Sequence, residues 1–143
     1  MGNGPFLSWS EVEALVAGFE SQSLLGEDDW THRDHLATAA YYCICVPEEA
    51  EVRMRVGIQK LNAARGVVQT PTGGYHETLT VVWTRLIGSH VRSLADSDRV
   101  EQVNSVISQF ADKQAPLAHY SRERILSQEA RYGWLAPDLA ALP

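Results

Sequence analysis

The sequence predicts an all-α, single-domain bundle of about six helices over residues 1–143. Three observations predict it. Apolar residues recur at three- and four-residue spacing through most of the chain, as amphipathic helices require. Ser, Thr and Pro stand where helices would begin, and Pro and Gly stand where they would end. The one segment with strand-like alternation, Val52-Met54-Val56-Ile58, has no second strand to pair with.

Ser8 or Ser10 caps a first helix over about 11–23, with Trp9, Val12, Leu15, Val16 and Phe19 as its apolar face. Thr31 caps the second, which runs to Val46, where Pro47 stops it. That helix is apolar on more than one side, so it is expected at the centre. Pro47, Glu48 and Glu49 suit the start of a third helix, and Gly66 suits its end. Residues 67–74, with Pro71 and two glycines, read as a loop. A helix over about 75–95 follows, with Leu79, Trp83, Ile87 and Val91 on one face. Ser97 caps a fifth, with Val100, Val103, Ile107 and Phe110 buried. A sixth over about 121–131 ends at Gly133, and the apolar tail from Trp134 is expected to lie on the body, offering a face for a homodimer.

Composition narrows the function classes. A hydrophobic fraction of 45% with 21% charged residues is that of an ordinary globular domain. A net charge of -6 argues against a nucleic-acid or anionic-membrane partner, which would need a basic face. No apolar run reaches the ~18 residues of a membrane span. The N-terminus has no charged, apolar leader, and Gly2 lacks the Ser or Thr four residues on that an acylation signal would carry, so the expected location is cytoplasmic. Cys43 and Cys45, two apart on a helix, point about 200° away from each other and are expected as reduced thiols.

Chemistry concentrates in two segments, Trp30-Thr31-His32-Arg33-Asp34-His35-Leu36 and Tyr75-His76-Glu77-Thr78-Leu79-Thr80. They hold three of the five histidines, each near a helix start. His32 and His35, one turn apart, could share a divalent metal ion, with His76 as third ligand and Glu77 as fourth ligand or catalytic base. Zinc, iron and manganese would all suit such donors. The zinc-protease motif is absent, because Thr80 follows where a second histidine would stand, and so is the Glu-x-x-His pair of di-iron carboxylate proteins. A second reading needs no metal: a histidine beside Glu77, Asp34, Tyr75 or Tyr42 acts as acid or base on a small molecule held by Thr80, Tyr42 and, from the last helix, Arg124. A third reading is structural, with the histidines satisfying backbone groups and holding helices in register. His90, further along the apolar stripe of its helix, and His119, before a helix cap, read as ordinary structural residues; Arg122, Arg124 and Arg131 read as a solvated helix face that could bind an anionic group if the last helix covers the site.

The two segments recur with Tyr120-Ser-Arg-Glu-Arg-Ile-Leu-Ser-Gln-Glu-Ala-Arg131 and the Pro-Asp-Leu-Ala-Ala-Leu-Pro ending at 137–143. Together these blocks resemble a family of small, all-helical, cytoplasmic bacterial proteins of uncharacterised activity. The resemblance implies that His32, His35, His76, Glu77, Thr78, Thr80, Tyr120, Ser121 and Arg124 belong to the family pattern, with Trp30 replacing a more usual Phe. It implies no activity. It also implies that the C-terminal segment lies near the two histidine segments. The leading expectation is therefore a metal-dependent site of His32, His35, His76 and Glu77 acting on a small molecule, with a metal-free binding or structural cluster as the alternative.

Overall fold

The computed structural model describes residues 4–143, so Gly2, considered above for acylation, lies outside the described residues. The chain is all-α, with helices α1 (Trp9–Glu20), α2 (His32–Cys45), α3 (Ala50–Ala64), α4 (Glu77–Ser93), α5 (Arg99–Gln109), α6 (Arg122–Ile125) and α7 (Gln128–Tyr132). Seven α-helices among the described residues replace the six expected. The extra one arises because the segment over 121–131 breaks at Leu126, and Ser127 caps a new turn by accepting a bond from the Ala130 amide.

Other boundaries shift for local reasons. Ser8 rather than Ser10 caps α1, in a capping box with Glu11. Pro47–Glu49 forms a 3-10 turn that leads into α3 instead of being its first turn. Asp98, not Ser97, caps α5 by accepting from the Val100 amide. Gly66 ends α3 with φ +74°, in the left-handed region where glycine carries no steric penalty.

Helix α2 is the hub. It packs against α1, α3, α4 and α5. Leu36, Ala37, Thr38, Ala39 and Ala40 are consecutive and buried, which is possible only for a helix covered on every side. Their small side chains let the neighbouring helices approach closely. Val12, Phe19, Met54, Ile87, Val103 and Val106 close the core around them. Each such fully buried side chain contributes roughly 1.5–3 kcal/mol relative to exposure.

The approach of α1 to α3 is tight at one point, where a Cβ at Gly57 would lie 2.2 Å from the Phe19 ring. Phe19 in turn stacks on Trp30, with centroids 4.8 Å apart. A smaller cluster of Val82, Leu86, Tyr120 and Ile125 lies beneath the C-terminal segment. No helix among the described residues is long and apolar enough to cross a membrane. Both cysteines are free.

The tail does lie on the body, held by polar contacts as well as apolar ones. Asp138 accepts from the Ser121 amide and hydroxyl at 2.8 and 2.6 Å. Arg124 donates to the Ala136 carbonyl at 2.6 Å. Thr78 donates to the Gly133 carbonyl at 2.7 Å and accepts from the Leu135 amide at 3.1 Å.

Candidate functional site

The two histidine-bearing helix starts are built differently. At α2, the Thr31 hydroxyl accepts from the Asp34 amide (3.3 Å) and the Asp34 carboxylate accepts from the Thr31 amide (3.1 Å). This capping box satisfies the helix start on its own, which leaves the imidazoles of the first turn unneeded there. His32 turns towards α5 and donates from Nε2 to the Phe110 carbonyl at 2.8 Å, its ring edge-on to Trp83. His35 lies edge-on to Trp30 at 6.1 Å between centroids.

At α4 the histidine is itself the cap. His76 Nδ1 accepts from the Leu79 amide at 3.0 Å. Its Nε2 lies 2.8 Å from the Ile125 carbonyl, which can only accept, so Nε2 carries the proton and both ring nitrogens are engaged. The ring is 8% exposed. Burial holds its proton affinity below the ordinary histidine value, against the Ile125 bond, which acts the other way. His76 thus joins the start of α4 to the end of α6, and the C-terminal segment sits against this histidine segment.

His35, His76 and Thr80 do come together. They line one open cavity of about 240 Å³, walled by Trp30, Tyr75, Leu79 and Trp83. Of the five histidines, four bond to protein groups: His32 to Phe110, His76 to Leu79 and Ile125, His90 to Ser105, and His119 to the carbonyls of Ala140 and Ala141. His35 alone has no hydrogen-bond partner for its ring among the described residues. Loss of hydration, with a smaller contribution from His32, pulls its pKa down to about 4. At neutral pH it is an uncharged imidazole with one donor and one acceptor to offer. Thr80 donates to the His76 carbonyl at 2.9 Å.

The other expected site residues lie elsewhere. Glu77 points away from this cavity, into a larger cleft of about 590 Å³. There Arg55 holds it bidentately at 2.9 and 2.7 Å, and the Tyr75 hydroxyl donates to it at 2.7 Å. The Arg55 bonds set its proton affinity below the usual carboxylate range, which suits a fixed anion and not a base poised near neutrality. Tyr75 lines both spaces and divides them.

Tyr42 sits two turns along α2 from His35, where it donates to Glu20 at 2.6 Å and faces a separate cavity of about 270 Å³. Helical periodicity placed it on the right side of α2 but at the wrong height. Arg124 lines a third hollow, beside Ser121 and Asp138, and holds the tail.

The expected metal centre does not fit this geometry. His76 has both nitrogens committed, His32 is spent on Phe110 and lines neither space, and Glu77 faces the far side of Tyr75. Among the described residues no three His, Cys, Asp or Glu side chains approach closely enough to hold an ion. His35 would be a lone ligand, too few for a zinc or iron site.

Sequence reasoning missed Arg55 as a partner of Glu77, since a pair 22 residues apart on different helices leaves no local pattern. Arg131, grouped in the sequence with Arg122 and Arg124, is separated from them by the fold and donates to the Gly74 carbonyl at 3.0 Å beside the larger cleft. No protein-family model, curated protein or solved structure matches the chain.

Proposed function

We propose that the protein binds a small, uncharged organic molecule in the cavity between α2 and α4 without a metal ion, with His35 and Thr80 as its polar contacts. One observation carries this reading: the only histidine without a partner among the described residues is the one that faces an aromatic-walled cavity. His35 is only partly buried and its ring nitrogens are open to the cavity, so a guest can take over the hydrogen bonds that solvent would otherwise make to them.

The size is suitable for a single substituted ring. An apolar cavity of about 150 Å³ already accommodates benzene, and this one holds about 240 Å³. The walls of Trp30, Tyr75 and Trp83 favour an aromatic or otherwise flat guest. The uncharged imidazole favours a neutral guest that donates or accepts one bond. A cytoplasmic setting belongs to the same reading, since it keeps the two free cysteines reduced.

Phenol is a direct probe. Titrated into isotope-labelled protein, it should shift the His35 ring and the Trp30 and Trp83 indole signals saturably, with a Kd of about 1 mM. His35→Phe should keep the fold and lose that response. Stoichiometric metal after reconstitution, released by His35→Ala, would overturn the metal-free reading. Absence of any saturable shift at these residues would overturn the binding site itself.

A further inference from the structure

The cleft on the other side of Tyr75 has a different chemistry. At about 590 Å³ it is the largest space described, and its volume falls within the range of small-molecule sites. Two arginines and one carboxylate line it. Glu77 is consumed by Arg55, with the Tyr75 hydroxyl as a third bond. That leaves Arg131 as a cation with no carboxylate partner among the described residues, in a chain whose net charge is -6.

Arg131 is also held in place. Its Nη1 donates to the Gly74 carbonyl at 3.0 Å and to the Tyr75 carbonyl at 3.4 Å, so the guanidinium plane is anchored while its Nε and Nη2 have no partner among the described residues. Gly74 has φ +88°, and a Cβ there would lie 2.7 Å from the Gln69 side chain. Gln69 in turn clamps the Tyr75 amide and carbonyl at 2.8 and 3.0 Å. The segment that presents its carbonyl to Arg131 is therefore fixed from both sides.

The cleft also carries exposed apolar surface. Val67, Tyr132 and Trp134, each 40–51% exposed, line it together. The Arg85 guanidinium lies 4.7 Å from the centre of the Trp134 ring and helps to fix its orientation. Facing them from α3, Asn62 offers an amide with no partner among the described residues.

From these observations we infer that this cleft is a binding site for an aromatic monocarboxylate, its carboxylate on Arg131 and its ring against Tyr132 and Trp134. Guanidinium–carboxylate pairing is the strong, directional contact available to an anchored arginine with free N–H groups. One uncompensated positive charge matches one negative charge. A phosphate dianion would place a second charge close to Glu77 with nothing to balance it. The site is independent of His35, because Tyr75 stands between the two spaces.

The probes are 1-naphthoate and its neutral isostere 1-naphthamide, titrated into the full chain with the tryptophan indole N–H signals followed by NMR. Naphthoate should shift Trp134 saturably, with a Kd of about 1 mM or tighter, and leave Trp30 and Trp83 in place. Naphthamide should bind at least about tenfold more weakly. Arg131→Gln should bring naphthoate down to the level of the amide. Asn62→Asp, on the opposite wall and with no hydrogen bond from its side chain among the described residues, should abolish naphthoate binding by like-charge repulsion while lowering the unfolding temperature only slightly, through the added charge in the last turn of α3. Equal affinity for acid and amide, undiminished binding to either variant, or no Trp134 shift with naphthoate would each overturn the inference. A shift confined to Trp30 and Trp83 would also overturn it, and would favour the His35 cavity instead.

Discussion

The starts of α2 and α4 look alike in the sequence, each an aromatic-flanked histidine beside a threonine and an acid, yet the structure uses them in opposite ways. At α2 the Thr31–Asp34 box caps the helix, which leaves His35 free to face a cavity. At α4 no Ser, Thr, Asp or Asn occupies the cap position, so His76 takes that role with one nitrogen and joins Ile125 with the other. A histidine near a helix start is available for chemistry only if another residue does the capping. The same contrast separates the acids: Asp34 closes its own helix, whereas Glu77 reaches across to Arg55.

The comparison can be broken most severely at His76. His76→Ala removes an N-cap bond, strands the Ile125 carbonyl and opens a void, and should cost about 3–4 kcal/mol in denaturant unfolding. His76→Asn should recover about 1 kcal/mol of this by restoring the cap alone. A loss under about 1 kcal/mol for the alanine variant would mean that His76 is no more structural than His35.

Acidification tests the opposite member. The pKa of His35 is depressed from 6.5 to about 4 in the folded chain, so between those values the unfolded chain binds more protons. Its contribution to stability is therefore present in full above about pH 6.5 and is lost as pH falls towards 4. Full desolvation would make the loss about 3 kcal/mol, and screening through the open cavity brings it nearer 2 kcal/mol. His35→Phe should lack this component, giving a flatter stability curve over the same range. Overlapping pH curves for the two proteins would contradict the assignment.

The smallest effect sharpens the contrast. Thr31→Ala removes only the α2 cap and should cost about 1 kcal/mol. If His32 or His35 turned to cap the helix in its place, the loss would shrink and the His35 ring signal would move.

The sequence made much of this visible. Thr31 and Pro47 bracket α2 as their chemistry predicts, Gly66 ends α3, and apolar residues on more than one side of α2 mark it as the central helix. The meeting of His35, His76 and Thr80 at one cavity matches the expectation that the two histidine segments face each other, although apolar stripes alone do not fix which ends of two helices adjoin. The destination of each imidazole nitrogen was not legible. Phe110 and Ile125 contribute backbone carbonyls, which every residue has, so no side-chain pattern marks them. Glu77 was assigned to the histidines because it adjoins His76, but neighbouring residues on a helix point about 100° apart, and that angle carried it to the other side of Tyr75. Arg124 was grouped with Arg131 by composition. Tertiary placement separated them, one to the tail and one to the cleft.

The bond between His76 and Ile125 also bears on how the molecule comes into being. During synthesis α4 leaves the ribosome some 49 residues before the carbonyl that its capping imidazole requires. Thr78 waits longer still for Gly133 and Leu135. The nascent chain can therefore gather α1, α2 and α3 early, but the cap of α4 and the wall of the larger cleft take their final form only when the last few turns arrive and dock.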